Sequence, residues 1–398
     1  MPRLGVKLRE QARQHGIDKT CTALREGLKD GSIRREHISL KEMAVAFMGE
    51  GWADHLEAYA RSGFRLREAT EAVDASGFTA ITGQLLVDTV REKYQLATQI
   101  GNELFQTVPI TNGNLGTQRE PWLSRVMHDP SPVNQGEPYP HTTFQGQYVD
   151  YPGPVKYGEI CNVTMEMLYS DLTTQAFESA ESVGEMTGLW VEYRKLAVAL
   201  GMIGTYSWNG TTYNTYLTSG SWVNKNTTYA LTDYRSVNTI NQTFTQMMDP
   251  TTGKPIRIDI KDILVMPTAL YDARRILNAT EVRVGNVATS GGIQTVGSNP
   301  VTENFRVLSS AHARNVAING ITGVVAGGYT SVQADTIVLA GDFKKAFRWR
   351  EVYPLKVTQA PPLNPAEFDQ DIVLRVKSSV FGEACVRDPR FVFLGYTA

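Results

Sequence analysis

Gly253-Lys254 is where this sequence comes nearest to a phosphate-binding loop. Such a loop needs G-x-x-x-x-G-K-[ST]: its glycines let backbone N–H groups close on phosphate, and its hydroxyl reaches a magnesium ion. Met248 stands at the first glycine and Pro255 at the hydroxyl position, so the pair reads as a turn. Ser309-Ser310 beside His312 could suggest a nucleophile and base. No strand–turn–helix elbow of the G-x-S-x-G kind surrounds them, and they read as strand-end polar residues. The six histidines (15, 37, 55, 128, 141 and 312) form neither H-x-x-x-H nor H-E-x-x-H, the spacings that put two imidazoles on one metal. Cys21, Cys161 and Cys385 lie far apart without a C-x-x-C pair and read as reduced, partly buried thiols. Gly291-Gly292 and Gly327-Gly328 lack a G-x-G-x-x-G context and read as loop glycines. The local sequence therefore assigns no catalytic, cofactor-binding or metal-binding residue. It leaves open a hydrolase site assembled from distant positions.

One charged stretch remains. Lys344, Lys345, Arg348 and Arg350 alternate with Phe343, Phe347 and Trp349. Cations among aromatics suit phosphate contact and stacking. Next to Glu351, however, four such charges more often form a protein interface or a solvated face. The net charge of −2 argues against a general nucleic-acid binder, which needs a basic excess. With 42% hydrophobic and 20% charged residues, the chain can bury a core. No apolar run approaches the roughly 18 residues of a membrane span. The basic N-terminus MPRLGVKLREQARQ lacks the apolar stretch of a signal peptide.

The elements that must carry these residues change character along the chain. In residues 1–75, 25 of 75 are charged, against 55 of 323 afterwards, and short amphipathic helices are predicted. One opens at Ser39-Leu40-Lys41-Glu42, a capping box, with Met43, Ala46, Phe47 and Leu56 on its apolar face. The segment reads either as a solvated helical arm or as a scaffold-like, shell-lining piece. Thr82–Ala97 predicts a helix with Leu85, Leu86, Val90 and Tyr94 at helical spacing, and an extended arm through Thr107-Val108-Pro109 follows. Residues 119–154 hold 7 of the 18 prolines together with Trp122, Tyr139, Phe144, Tyr148 and Tyr151. Proline donates no ladder hydrogen bond. The stretch therefore reads as a stiffened irregular loop, packed against a neighbour or on itself. Alternation resumes over Val155–Met167. Leu172 to about Met202 predicts the longest helix, about 45 Å at ~1.5 Å per residue, with Gly184 and Gly188 as bending points. Residues 205–231 predict turns and short strands. From Asp233 helix and strand alternate: a helix over Tyr234–Met248, a strand over Ile263–Met266, a helix opened by Pro267 and ending near Asn278, and a strand over Phe305–Ser309. This order predicts an α+β unit.

The chain closes on TIVLAGDFKKAFRWREVYPLKVTQAP and DIVLRVKSSVFGEACVRDPRFVFLGY. This ending, and the ordered set before it from about Gly77, resembles the major capsid (major head) proteins of tailed bacteriophages. Those proteins have the Hong Kong 97-type capsid fold, and the Mu-like and related head proteins are nearest. The resemblance implies an α+β fold with six parts: a charged helical segment (1–76), an N-terminal arm (77–118), an extended loop (119–154), a peripheral domain with a long spine helix (155–236), an axial domain (237–345) and returning peripheral strands (346–398). It implies no enzyme and no cofactor. The expected partners are copies of the chain itself in pentamers and hexamers, a portal, and decoration or scaffolding proteins. The resemblance also implies that double-stranded DNA is enclosed without sequence-specific binding and that no membrane is involved. The implied location is the virion, after synthesis in a bacterial cytoplasm. An encapsulin-like cellular shell is the alternative. Candidate inter-subunit contacts are Trp122, Arg125, Tyr139, Phe144 and Tyr148 on the loop, and Lys344, Arg348, Trp349 and Arg350 on the basic-aromatic run. Some members of the family weld their shells with Lys–Asn bonds catalysed by Glu. The corresponding places here hold Val149-Asp150, Asp371 and Ser378, so a non-covalent shell is expected.

Overall fold

Glycine and cap chemistry set out the N-terminal helices. α1 (Leu4–His15) and α2 (Ile17–Lys29) are parted by Gly16, whose φ of 84° suits a residue without Cβ. α3 (Leu40–Met48) starts at Ser39, whose hydroxyl accepts the Glu42 N–H at 3.0 Å, and stops at Gly49. Its buried stripe is Leu40, Met43, Ala44 and Phe47. The sequence placed Ala46 on that face; the i, i+3, i+4, i+7 spacing from Leu40 selects Ala44 instead. The computed structural model describes residues 4–30, 33, 38–56, 69–97, 100–111, 115–123, 132–139, 141, 146–204, 206–220, 222–249, 253–284, 295–299, 305–360 and 371–397.

α4 (Ala69–Ala97) begins well before the predicted Thr82, because the alanine-rich lead-in contains no proline. After it come α5 (Gly101–Leu104), β1 (Gln106–Pro109), β2 (Gln118–Leu123), β3 (Gly146–Tyr151), β4 (Val155–Thr164), α6 (Met165–Tyr169) and α7 (Thr173–Ala199). The chain continues through β5 (Tyr206–Trp208), β6 (Thr211–Tyr213), β7 (Lys225–Asn226), α8 (Tyr234–Thr245), β8 (Asp262–Val265) and α9 (Leu270–Asn278). Then follow β9 (Glu281–Val284), β10 (Thr295–Ser298), β11 (Arg306–Ser309), α10 (Ala311–Asn319), β12 (Gly320–Ile321), β13 (Val325–Ala326), α11 (Ser331–Thr336) and β14 (Val338–Gly341). α12 (Phe343–Ala346), β15 (Phe347–Gln359), β16 (Ile372–Val386) and β17 (Val392–Gly395) end the chain. Helices and strands are thus mixed, as an α+β fold requires. Ser310, met in the sequence as a strand-end residue, caps α10 by accepting the Ala313 N–H.

The chain divides into two units. Unit 1 comprises Met1–Thr98, Lys156–Trp190 and Tyr353–Phe381; unit 2 comprises Gln99–Val155, Val191–Val352 and Gly382–Ala398. In unit 1 one apolar core gathers Leu24, Met43 and Phe47 of the N-terminal helices, Leu86 and Val90 of α4, Phe177 of α7, and Val357 and Val376 of the closing strands. Gly184 and Gly188 are positions of close helix approach. A Cβ on Gly184 would lie 2.4 Å from the Val90 carbonyl oxygen, and one on Gly188 would lie 2.7 Å from the Ala97 Cβ. Met186, between these two glycines, points outward at 52% exposure.

Unit 2 is built on a five-stranded sheet in the order β11-β8-β14-β17-β7. β8 runs parallel to β11 and antiparallel to β14, and β17 pairs antiparallel with β14 and parallel with β7. The buried run Val338-Leu339-Ala340-Gly341 takes the middle of this sheet, where both faces are covered. Asn224 ties the sheet's far side together. Its Nδ2 donates to the carbonyls of Thr215, Pro389 and Val392 while its Oδ1 accepts the Leu217 N–H. A second sheet, β2-β3-β5-β6, contains the ends of the proline-rich stretch. The sequence read 119–154 as irregular. Its flanks are instead an antiparallel pair, Gln118↔Tyr151 through Leu123↔Gly146. Pro121 is tolerated because β2 is the edge strand. Asn209-Gly210 turns β5 into β6 with both φ values positive, as a two-residue hairpin demands.

Candidate functional site

The residues proposed to touch neighbours fall around the β2–β3 hairpin, and the physical question is which of them are free to do so. Arg125 and Phe144 lie outside the described residues. Trp122 sits in β2 opposite Gln147, and its side chain lies outside them too. Tyr139 stands 83% exposed, just beyond a small turn in which Asn134 Nδ2 donates to Glu137 Oε2 at 3.2 Å. Tyr148 is half-buried. Across the strands, Arg119 Nε donates to Asp150 Oδ1 at 2.9 Å and the guanidinium lies 3.7 Å over the Tyr148 ring. The hydrogen bond to Asp150 raises the Arg119 pKa. The pair is solvent-screened and adds little stability; it fixes the shape of an exposed patch.

The basic-aromatic run behaves differently from its appearance in the sequence. Strand alternation sends Arg348 and Arg350 to one face of β15 and Trp349 to the other. Arg348 binds Glu120 at 2.5 Å, and Arg350 binds Gln118 and lies 4.7 Å over the Tyr151 ring. Trp349 is 2% exposed and Gly382 leaves it room, since a Cβ there would come within 2.7 Å of the indole. Lys195 Nζ lies 4.9 Å over the same indole. Arg348, Trp349 and Arg350, read as inter-subunit contacts, are therefore turned into their own chain. Lys344, on the one-turn α12, is exposed. Sequence reasoning missed the partners Gln118 and Glu120. The available signal was two strand-like segments, each carrying polar residues two apart and complementary to the other.

A second cluster is buried where α7 meets the turn before β1. Glu192 accepts the N–H groups of Ile100 at 3.1 Å and Gly101 at 2.9 Å, and Lys195 donates to Asn102 Oδ1 at 2.7 Å. Burial pushes the Glu192 carboxyl pKa up, against the Gly101 N–H, the Lys195 charge and the Ile100 N–H. Burial likewise lowers Lys195 to about 8, against Glu192 and Glu351. Shifted groups often mark active sites. Here every polar atom of the pair that is described meets the 100–102 backbone or Asn102, so the pair holds an arm in place.

A cavity of 430 Å³ opens beside these strands, lined among others by Glu120, Tyr151, Lys345, Arg387, Asp388 and Arg390. Its charges are largely matched within the chain. Arg390 binds both oxygens of Asp388 at 2.9 and 2.6 Å, and Lys345 lies 3.4 Å from Asp342. Burial opposes the Arg390 charge, and Asp388 outweighs it to leave the pKa raised. Among the described residues no group of three or more His, Cys, Asp or Glu could hold a metal ion, and no helix is long and apolar enough to cross a membrane.

No protein-family model and no curated protein matches the sequence. Among solved structures, the chain is similar to the capsid of the cyanophage P-SCSP1u, at 12% identity and a TM-score of 0.44 over 74% of this chain and 86% of that one. It is similar to the mature capsid of bacteriophage PhiM1, at 10% identity and 0.43 over 75% and 86%. It is also similar to a virus-like particle from Pyrococcus furiosus, at 7% identity and 0.38 over 79% and 98%.

Proposed function

We propose that the chain is a shell subunit of the Hong Kong 97 type. In this reading it is the major capsid protein of a tailed phage, assembling into pentamers and hexamers of an icosahedral or prolate head around double-stranded DNA. The observation that carries the reading is the order of elements. An arm strand (β1), a long hairpin (β2–β3), a 27-residue helix (α7), an α/β stretch from α8 to β14, and returning strands (β15–β17) follow one another as the sequence resemblance implies. The six-part division of the chain belongs to the same proposal. No covalent weld is part of it: Val149 and Ser378 are buried, and Ser378 is engaged with Thr187 at 2.8 Å.

Contacts between copies are then repeated and heterologous, closing into rings. They would bury roughly 2,000–5,000 Å² or more if obligate. Among the described residues, Tyr139, Tyr148 and Lys344 are the proposed contacts that face outward. Sedimentation of the purified chain over a range of concentrations tests the reading. Large discrete particles, or capsomers that convert to them, are expected; a monomer at every concentration contradicts it. Nucleic acid inside particles from the producing cell supports the phage head. A protein cargo without nucleic acid supports the encapsulin-like alternative.

A further inference from the structure

We propose that the helices α1 to α3, with the residues that follow to Leu56, are a permanent brace of unit 1, docked on the start of α7, and that they stay with the finished shell; the shell clause rests on the reading above. The sequence left this charged segment as either a solvated arm or a scaffold-like piece. A solvated arm would keep its apolar residues few and its contacts polar. Instead Leu8, Leu24, Phe47 and Leu56 are buried to 3% exposure or less, in the same apolar cluster as Leu86 and Phe177. Removing the segment would open the core of unit 1 to water, at a cost proportional to the apolar area exposed.

A polar seam gives the brace its register. The Ser39 hydroxyl donates to the Asp171 carboxylate at 2.8 Å and accepts the Glu42 N–H. The Leu40 N–H donates to Thr173 Oγ1 at 2.8 Å, and that hydroxyl donates onward to Asp171 Oδ1 at 2.9 Å. Lys41 Nζ reaches the Tyr169 carbonyl at 2.8 Å, and the Trp52 ring packs on the Tyr169 ring at 5.0 Å. All of these partners sit at the corner from α6 into α7. Asp171 there has φ 50°, a left-handed conformation uncommon for a residue with a Cβ. Ser39 and Thr173 hold its carboxylate in that geometry. Separately, Arg25 grips both oxygens of Asp88 on α4 at 2.8 and 3.0 Å. Hydrogen bonds to one corner, an ion pair to a second helix and a shared core together make an integral layer. A segment built to be shed would not be expected to carry the core of what remains.

The test cuts the chain without removing anything. A protease site is inserted between Leu56 and Ala69, and the purified chain is cut and run on a sizing column in native buffer. The N-terminal fragment is expected to co-elute with the remainder and to separate only in denaturant. Precipitation on cutting, with the uncut variant soluble, supports the brace equally, because it reports exposure of the core. Separation in native buffer with an unchanged Tm of the remainder overturns it. If the insertion itself prevents folding, a chain expressed from Ala69 onward decides: insolubility is expected, and a soluble product with the full-length Tm overturns the proposal. Shells from the uncut chain are scored separately by electron microscopy. Their absence counts against the capsid reading and leaves the co-elution result standing for the brace.

Discussion

Lys195 and Glu192 show how a buried charge can serve geometry. Lys195 in the folded chain titrates at about 8, below its ordinary 10.5, with burial as the leading cause. Between those values the unfolded chain binds more protons than the folded one, so stability rises with pH across that window. Lys195→Met should remove this contribution, so that the stability of the parent relative to the variant rises between pH 8 and 10.5; parallel pH profiles for the two chains would exclude this role. Gly101 belongs to the same knot, because a Cβ there would meet Glu192 Oε2 at 2.6 Å. Gly101→Ala should cost about 1–3 kcal/mol by overpacking, read from urea unfolding. Neither Glu192 nor Lys195 was legible in the sequence, since each meets its partners 91 to 93 positions away. Cys385 was legible as inert: burial pushes its thiol up to about 12.

At the scale of elements, periodicity told most where one element packs on one neighbour. The Ser39 cap, present as its hydroxyl accepting the Glu42 N–H, the long helix near 172–202, the helix ending at Asn278 and the closing strands all follow from local pattern, within a few residues. It told least where a strand's two faces have different destinies. The run from Phe343 to Arg350 looked like a surface, but β15 buries Trp349 on one face and matches its arginines to β2 on the other. Trp349→Ala should therefore cost about 3–5 kcal/mol of stability in a chain studied before any assembly. Coupling between Arg348 and Glu120, measured by unfolding Arg348→Met, Glu120→Gln and the double variant, should be about 1–2 kcal/mol. Coupling near zero would show that the pair is only a surface contact. Glycine in α7 was misread for the same reason: Gly184 and Gly188 look like flexibility in one dimension and are helix contact in three. Gly184→Val should force α4 and α7 apart and lower the Tm.

In the shell subunit proposed above, the chemistry of the whole molecule is packing. The N-terminal helices complete one unit's core, and the hairpin of the other presents Tyr139 and the Arg119–Tyr148–Asp150 patch to the outside. If such patches join copies without covalent bonds, denaturing mass spectrometry of assembled material should give a single chain mass, whereas ladders of multiples would refute the non-covalent claim. Electron microscopy of the purified chain is the decisive measurement for a shell subunit. Closed shells of one protein are expected, with five-fold and six-fold clusters resolved on averaging. A discrete monomer or dimer at all concentrations, with no ring or shell in any field, would contradict that expectation.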